Sequence, residues 1–176
     1  MLLSQMIKSA GLKIPAAPAK KHILLTGLGA GLAVSFMAML HHLSSPSIAL
    51  LVGSFGASSV MIFGYPEAPF AQPRNVIGGH LIAASSAVLF MQIFGVHGWV
   101  LGLSMGVAIA LMMWLRVAHP PAGSNPVIIF LSAIQLGTPL GWQFVFFPVL
   151  SGVLVLVALG VVYNRWIRDL SYPQYW

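Results

Sequence analysis

Long apolar stretches, separated by short segments rich in proline, serine and charged residues, run through the chain after its first 21 residues. A helix needs about 20 apolar residues to cross the hydrocarbon core of a bilayer. Five stretches of suitable length predict transmembrane helices over residues 23–43, 46–65, 76–94, 99–118 and 142–163. Ser45 is the expected N-cap of the second helix, directly before Pro46, and Asn75 is the expected N-cap of the third.

A further apolar stretch, between the fourth and the last of these helices, is interrupted by prolines. Pro120, Pro121 and Pro126 break its first half, and only residues 126–138 keep a continuous helical pattern. A helix of that length rises roughly 20 Å, which is too short to cross the bilayer alone. If the stretch crosses, residues 119–125 run as extended chain at membrane depth, where they must be buried in protein or line a wet cavity. We therefore predict an all-α integral membrane protein with six transmembrane segments, the fifth half extended and half helical.

The composition agrees with a membrane protein. Hydrophobic residues make up 59% of the chain and charged residues 6%, with a mean hydropathy of +0.93, whereas soluble proteins contain about 25% charged residues. These values exclude an ordinary soluble enzyme, a disordered protein and a DNA-binding domain with a water-facing basic patch, so we expect no nucleic-acid partner. The absence of cysteine excludes disulfides, iron–sulfur ligation and thiolate chemistry.

The distribution of positive charge predicts the orientation of the chain. With six spans and a cytoplasmic N-terminus, all eight Lys and Arg residues fall on the cytoplasmic side, as the positive-inside rule prefers. We expect a protein of the bacterial inner membrane with both termini cytoplasmic. Residues 1–21 are expected to form an interfacial or cytoplasmic segment, residues 22–164 the transmembrane domain, and residues 165–176 a short cytoplasmic tail.

A shift of the sequence by 77 residues aligns small and polar residues of its two halves. The aligned pairs are Gly29 with Gly106, Ala33 with Ala110, His42 with His119, and Ser47 with Ser124. One interpretation is two inverted three-helix repeats, an architecture that places a transport site near the midplane between the halves. The alternative is chance similarity among apolar, glycine-rich helices.

Two segments hold most of the polar residues that can carry chemistry in the membrane. The first, residues 65–80, is a proline-rich loop followed by the start of a helix. Arg74 and Asn75 lie at that start, and His80 lies about one turn within the membrane. The two glycines before His80 allow another backbone to approach the helix closely.

The second segment, residues 116–126, opens the short helix of the broken fifth stretch. Free N–H groups and the positive end of the helix dipole favour an anion at such a helix start. Arg116 supplies full positive charge there, Ser124 can donate a hydrogen bond, and Asn125 can cap the helix. This segment is therefore a candidate anion site.

His119-Pro120-Pro121, followed by Ala-Gly-Ser-Asn-Pro, resembles the motif that names the HPP family of integral membrane proteins. An upstream pattern that ends at His80 supports the resemblance, because the two motifs occur together at this spacing: Pro-x-Ala-Pro-x-Ala-Gln-Pro-Arg-Asn-Val-x-Gly-Gly-His. The resemblance covers residues 21–164. It implies nitrite transport, the activity assigned to family members in plastids and cyanobacteria.

Nitrite is small, planar and anionic, and the predicted spans suit it because they contain no Asp or Glu. A proton relay through carboxylates is therefore not expected, and histidines would carry any coupled proton. The candidate substrate-binding residues are Arg116, His119, Ser124, Asn125, His80, Arg74, Asn75, Ser54 and Ser58. We expect no cofactor, and the spacing of histidines and carboxylates predicts no metal site.

Each candidate also has a purely structural interpretation. The two serines can hydrogen-bond to their own helix, and the two arginines can anchor the chain at the cytoplasmic surface. His80 and His119 are the stronger candidates, because polar groups within a bilayer are costly and by default functional. Either histidine can nevertheless serve only to hydrogen-bond a neighbouring helix.

The sequence thus predicts a transporter or channel for a small inorganic anion, with nitrite as the first candidate, rather than an enzyme. The alternative enzyme would use His119 as base and Ser124 as nucleophile, but the spans contain no acidic residue to orient the histidine. A structural subunit without transport activity is a third possibility. We expect a homo-oligomer, because six short spans are few to enclose a wet cavity.

Overall fold

The computed structural model describes residues 17–43 and 52–176, and within these ranges it consists of helices and loops without strands. Helix α1 spans Lys20–Leu43. Helix α2, Ser54–Ser59, continues directly into a π-helical turn at Val60–Gly64. The remaining α-helices are α3 (Pro73–Phe94), α4 (Gly98–Trp114), α5 (Asn125–Leu136) and α6 (Ser151–Val162).

Shorter helical turns connect or extend these helices. Single 3-10 turns at Pro69–Ala71 and Pro120–Ser124 lead into α3 and α5. Two π-helical turns, Val145–Leu150 and Tyr163–Ile167, flank α6. The loop between residues 64 and 73 and the turn at residues 115–119 thus bring the chain to the N-terminal ends of α3 and α5.

The longest helical stretches have the length and composition of transmembrane helices. Three of them can cross a membrane by these criteria: Lys20–Leu40, Pro73–Phe94 and Val145–Ile167. Ser54–Gly64 and Gly98–Trp114 are apolar but shorter. Large apolar side chains also face outward, such as Leu24 and Trp114, which are 67% and 77% exposed. The molecule is therefore an integral, multi-pass membrane protein, as the sequence predicts.

Helix α3 is the central helix of the described structure. It packs against α4, α5 and the 3-10 turn at Pro120–Ser124. Ala83, Ala84 and Ala87 on this helix are fully buried, and such small side chains allow neighbouring helices to approach closely. This packing brings residues that are far apart in the sequence to the N-terminal half of α3.

The fifth predicted segment is more helical than expected. Only His119 is extended (φ −139°, ψ 98°), and Pro120–Ser124 forms a 3-10 turn that runs directly into α5. The prediction of a half-extended segment is wrong here, because the fixed φ of proline suits a helical turn as well as an extended chain. Helix α5 ends at Leu136, before residue 138, because Gly137 adopts a left-handed φ of 69°.

The predicted capping roles of Asn75 and Asn125 are also wrong. Helix α3 begins at Pro73, with Gln72 flanking it, so Asn75 lies inside the first turn. Proline lacks an N–H and fits the first position of a helix, which explains the earlier start. Asn125 is the first residue of α5, and its N–H donates to the Ala122 carbonyl. This backbone N–H is therefore not free to donate to an anion.

The last predicted span, residues 142–163, is a broken helix. Phe147 has non-helical torsion angles (φ −134°, ψ 109°), and the regular α-helix resumes at Ser151. The helical chain then extends beyond residue 163 to Ile167. The tail that follows folds back against the loop before α3, where Tyr172 is buried.

Some predictions fall outside the described residues: the segment before residue 17, the Ser45 N-cap before Pro46, Ser47, and the side chain of His42. Among the described members of the predicted repeat, the paired glycines have different surroundings. A side chain at Gly29 would meet the ring of Tyr163, whereas Gly106 faces open space. The inverted repeat stays a prediction.

Candidate functional site

Four polar side chains from different elements meet beside the N-terminal half of α3. Ser58 belongs to α2, His80 to α3 and Asn125 to α5, while His119 precedes the 3-10 turn. All four are buried, with exposed fractions of 0%, 0%, 1% and 1% for Ser58, His80, His119 and Asn125. Buried polar groups are costly without hydrogen bonds, so their mutual contacts determine what this polar cluster can do.

The Ser58 hydroxyl joins the two imidazole rings. Its Oγ lies 2.9 Å from His80 Nε2 and 2.8 Å from His119 Nε2. The ring centroids are 5.2 Å apart. The outer nitrogens have separate partners, because His119 Nδ1 lies 2.6 Å from the Phe70 carbonyl oxygen and His80 Nδ1 lies 3.0 Å from Asn125 Nδ2.

The partners of the outer nitrogens determine the direction of these hydrogen bonds. The Phe70 carbonyl can only accept, so His119 Nδ1 carries a hydrogen, and Nε2 of the neutral ring accepts from the Ser58 hydroxyl. Asn125 Nδ2 also lies 3.3 Å from the His80 backbone carbonyl, which fixes the orientation of the amide. His80 Nδ1 therefore accepts, and its Nε2–H donates to Ser58 Oγ. The result is a one-way chain from Asn125 to Phe70.

Two buried polar atoms at this cluster have no hydrogen-bond partner among the described residues. They are Asn125 Oδ1 and Ser54 Oγ. Ser54 lies one helical turn before Ser58, and the Ser58 hydroxyl oxygen is 3.1 Å from the Ser54 carbonyl. Because buried polar atoms nearly always have a partner, this unsatisfied acceptor and hydroxyl favour a water or a small polar ligand in the site.

Two consecutive glycines on α3 allow the turn that carries His119 to approach. A Cβ at Gly79 would lie 2.7 Å from His119 Cβ and 3.2 Å from the Val117 carbonyl oxygen. A Cβ at Gly78 would lie 3.1 Å from Val117 Cβ. The glycine pair of the sequence motif is thus explained by the close packing that positions His119.

The two arginines of the predicted site are exposed and shape the end of α4 instead. The chain leaves α4 in a Schellman motif, in which Val117 N–H donates to the Met112 carbonyl and Arg116 takes the left-handed position with φ 57°. The Arg74 guanidinium donates to the carbonyls of Leu115 and Arg116 at 3.1 and 3.0 Å. Neither arginine is brought into the buried cluster, and their role in binding stays a prediction.

Asn75 and Ser124 also have structural partners. Asn75 Nδ2 donates to the Ala118 carbonyl at 3.0 Å, and its Oδ1 accepts from the Tyr175 hydroxyl at 3.3 Å. Ser124 Oγ donates to the Pro121 carbonyl at 2.8 Å. These contacts support the turns around His119 without joining the hydrogen-bonded chain.

The loop that supplies the Phe70 carbonyl is held by residues that sequence reasoning did not select. Gln72 is buried, and its Oε1 accepts from the Gln174 N–H at 2.8 Å. The Tyr172 hydroxyl donates to the Ala71 carbonyl at 2.8 Å, and burial raises the pKa of this hydroxyl above its usual value. Gln72 lies within the upstream motif, so the sequence did contain a signal that could have selected it. The tail that holds Tyr172 and Gln174 contains no comparable motif.

A second polar cluster fastens α1 to the end of the last helix. Arg168 donates through Nη1 to Asn164 Oδ1 at 2.9 Å and through Nη2 to His22 Nδ1 at 2.8 Å. Asn164 Nδ2 in turn donates to the Ile62 carbonyl at 2.9 Å. Burial lowers the pKa of Arg168. Sequence reasoning treated Arg168 only as a topology signal.

The surroundings of the histidine cluster carry little charge. Both carboxylates of the chain, Glu67 and Asp169, lie at exposed positions. Residues 17–43 and 52–176 contain no group of three His, Cys, Asp or Glu side chains placed to bind a metal ion. An apolar pocket of about 470 Å³ lies beside His119 and is also lined by Phe70 and Met112.

Comparison with known proteins identifies the family of this chain. The family described as the transmembrane region of HPP proteins matches residues 15–173. The chain belongs to the HPP transmembrane family. Two transmembrane proteins of Dictyostelium discoideum are similar to it, one 33% identical over 170 residues and the other 30% identical over 172 residues.

These alignments cover 93% and 94% of this HPP chain, but 59% and 55% of the two relatives. The chain therefore spans less than two thirds of the length of the relatives that it matches. No solved structure matches the chain. The resemblance drawn from the two sequence motifs is confirmed at the level of the family.

Proposed function

We propose that this HPP protein transports a small inorganic anion across a membrane, and that nitrite is the first substrate to test. The observation that carries the proposal is the buried cluster of Ser58, His80, His119 and Asn125, together with the unpartnered Ser54 hydroxyl one helical turn before Ser58. Polar groups inside a membrane domain are costly and by default belong to a functional site. Nitrite itself comes from the family resemblance.

The chemistry of the cluster suits an anion. Its members are neutral hydrogen-bonding groups, and the Ser54 hydroxyl has a hydrogen to donate. Glu67 and Asp169 are exposed, so neither places a buried negative charge beside the cluster. A small planar anion that enters such a site accepts a hydrogen bond from Ser54 and meets no fixed carboxylate.

We further propose six transmembrane segments, with both termini on the cytoplasmic side of a bacterial inner membrane. Pro120–Ser124 and Asn125–Leu136 form one uninterrupted helical segment. At the rises of 3-10 and α-helices, its length is roughly 28 Å, close to the hydrocarbon thickness of a bilayer. A crossing at this segment keeps all eight Lys and Arg residues on one side.

A homo-oligomer is part of the same proposal. Gly102 and Gly106 on α4 face open space, one helical turn apart. Small residues at this spacing allow another transmembrane helix to pack closely. A second copy of the chain is the partner that we propose for this face.

An enzymatic function is less well supported. The Ser124 hydroxyl donates to the Pro121 carbonyl and not, as the predicted enzyme would require, to His119. His119 is hydrogen-bonded to Ser58 instead. Ser58 is wholly buried and accepts a hydrogen bond from His80, which opposes its action as a nucleophile. We therefore propose a protein without enzymatic activity, and labelling by a fluorophosphonate serine probe that is lost in Ser58→Ala would contradict this.

The direct test is nitrite uptake into proteoliposomes that contain the purified protein. Wild type is compared with Ser58→Ala and with Ser104→Ala, a matched control in which a buried serine that donates only to its own helix is removed. Protein-free vesicles run in parallel, because nitrous acid crosses bilayers unaided. We expect saturable uptake in wild type and Ser104→Ala, and a loss of about tenfold or more in Ser58→Ala.

Uptake no faster than in protein-free vesicles would refute nitrite transport. Nitrate, formate and bicarbonate, added as competitors, test whether another small anion is the substrate. Equal uptake by Ser58→Ala and Ser104→Ala would be consistent with transport but would show that the polar cluster is not part of the transport path. The Arg116→Ala variant, measured in the same series, tests the binding role predicted from the sequence.

A further inference from the structure

We propose that His119 Nε2 takes up one proton with each anion, and that rotation of the Ser58 hydroxyl makes this uptake possible. The proposal rests on the proposed anion transport and adds its coupling ion and the atom that holds it. It follows from the hydrogen-bond partners of the two histidines and of Ser58, which offer a place for an added proton on one ring only.

In the neutral site, every ring nitrogen has a partner of the right kind. His119 Nδ1–H donates to the Phe70 carbonyl, and His119 Nε2 accepts from the Ser58 hydroxyl. His80 Nε2–H donates to Ser58 Oγ. The Ser58 oxygen therefore donates once and accepts once, which leaves one of its two acceptor positions unused.

An added proton on His119 Nε2 is accommodated by a single rotation. The new Nε2–H donates to Ser58 Oγ across the same 2.8 Å contact. The Ser58 hydroxyl hydrogen, which pointed at Nε2, turns to the Ser54 carbonyl at 3.1 Å. Ser58 Oγ then accepts from both histidines, so both of its lone pairs are used. One N–H bond forms, none breaks, and the ring gains one positive charge.

His80 has no comparable arrangement. Its free nitrogen is Nδ1, which faces the Asn125 side-chain N–H at 3.0 Å. A proton on Nδ1 would oppose this donor unless the amide turned over. Turning the amide would bring Oδ1 against the His80 backbone carbonyl, which now accepts from Asn125 Nδ2 at 3.3 Å. Protonation of His80 thus loses hydrogen bonds that protonation of His119 keeps.

The two histidine rings have no charged hydrogen-bond partner among the described residues. The two rings contact neutral groups: Ser58, Asn125, the Phe70 carbonyl, the edge of Phe55 and each other. No described carboxylate or cation is hydrogen-bonded to either ring, and helices α4 and α6 contain no titratable residue. On the remaining elements, Glu67 and Arg74 are exposed, and Arg74 donates to carbonyls at the end of α4.

A buried imidazolium without a counter-ion is costly, and so is a buried anion without a cation. Each charge therefore lowers the cost of admitting the other, and this coupling must be reciprocal. A proton should raise the affinity for the anion, and the anion should raise the proton affinity of His119. A 1:1 movement of proton and anion across the membrane is the expected consequence.

The first test is nitrogen-15 NMR of histidine-labelled wild-type protein in lipid bilayers, which distinguishes the ring tautomers. Single His→Gln variants assign the signals. We expect neutral His119 to carry its hydrogen on Nδ1 and neutral His80 on Nε2, and acidification to protonate His119 before His80. The opposite tautomer on His119, or earlier protonation of His80, would overturn the proposal. This test needs no nitrite, so it remains decisive even if nitrite transport fails.

The second test compares net nitrite uptake with and without an inward proton gradient. In wild type, an inward proton gradient should accelerate net nitrite uptake beyond the protein-free control. In His119→Gln and Ser58→Ala, the ratio of uptake with the gradient to uptake without it should fall to the protein-free value, whatever their residual uptake, while Ser58→Thr, which restores a hydroxyl, should recover the wild-type ratio. His97→Gln is the matched control, because His97 is exposed and lies before α4.

Saturable wild-type uptake whose rate does not change with the proton gradient would overturn proton coupling while leaving the proposal of anion transport intact. Acceleration that persists in both His119→Gln and Ser58→Ala would also overturn it. Because the serine pair Ser58→Ala and Ser58→Thr leaves both imidazoles in place, the outcome does not depend on whether His119→Gln folds.

Discussion

Replacing Gly79 by alanine tests the packing that positions His119 against α3. The added Cβ would lie 2.7 Å from His119 Cβ and 3.2 Å from the Val117 carbonyl oxygen. Neither atom is the far end of a flexible side chain, so the turn itself must move away from the helix. Any such movement changes the contact between His119 and Ser58, which is 2.8 Å in the native structure.

The expected change in stability combines two opposing effects. Overpacking in a close contact costs about 1–3 kcal/mol, whereas replacing glycine by alanine within a helix gains about 1 kcal/mol. Gly31→Ala on α1 is the matched control, because no atom lies within 4 Å of its Cβ position, so it should show only the gain. The two variants should therefore differ by about 1–3 kcal/mol, or roughly 2–12 °C in Tm for a chain of this size.

The assay is thermal unfolding of the purified protein in one detergent, followed by nitrite uptake of the folded variants. Gly78→Ala should fall between the other two, because its Cβ would lie 3.1 Å from Val117 Cβ and that branched side chain has limited room to shift. If Gly79→Ala is as stable as Gly31→Ala and transports like wild type, the close approach of the His119 turn is not needed.

Three further predictions concern the turn after α4, the C-terminal tail and the outer face of α4. Arg116→Gly should raise the free energy of unfolding by about 1 kcal/mol, because glycine adopts the left-handed φ of 57° without strain; thermal unfolding measures this, and a lower Tm would contradict it. The buried Tyr172 hydroxyl has a raised pKa, so the unfolded chain loses this proton first, and stability should fall by about 1.4 kcal/mol per pH unit above the usual tyrosine pKa near 10. Tyr172→Phe should remove that alkaline slope in pH-dependent unfolding, and an unchanged slope would exclude Tyr172 as its source. Gly106→Leu should weaken self-association measured by light scattering, whereas an unchanged oligomer would move the proposed interface away from α4.

The helices and the membrane class could be predicted because both depend on local sequence. Apolar stretches of sufficient length identify the spans in any tertiary arrangement, and the predicted third span, residues 76–94, lies inside α3. Prolines are less decisive. Pro120 and Pro121 were expected to give an extended chain and instead begin a 3-10 turn, because a fixed φ is compatible with both.

The site could be predicted only in part. His80, His119 and Asn125 were selected because polar residues inside apolar segments are unusual, and they do meet. Ser58 was selected too, as one hydroxyl of a serine-containing helix. Nothing in the local pattern showed that this hydroxyl, 61 residues from His119, is the one that joins the two rings. Ser59 only bonds back to the Phe55 carbonyl of its own helix.

Backbone groups are harder still to foresee. The Phe70 carbonyl sets the tautomer of His119. Because every residue has a backbone carbonyl, the sequence does not show which of them accepts from a histidine. Arg116 was selected for its charge beside the motif, but its left-handed backbone closes the end of α4 and its side chain is exposed. Charge near the motif therefore pointed to a turn beside the cluster, and a binding role for the Arg116 side chain stays a prediction.

The tail and the polar cluster are connected through the loop before α3. Tyr172 donates to the Ala71 carbonyl, and the Gln174 N–H donates to the Gln72 side chain, so the tail holds the residues that directly follow Phe70. The Phe70 carbonyl keeps the hydrogen of His119 on Nδ1 and thereby leaves Nε2 open to Ser58. Loosening the tail should therefore affect the tautomer of a buried histidine that the tail does not touch. The nitrogen-15 spectrum of Tyr172→Phe would show this as a mixture of His119 tautomers, whereas a single Nδ1–H tautomer would mean that the loop holds its shape without the tail.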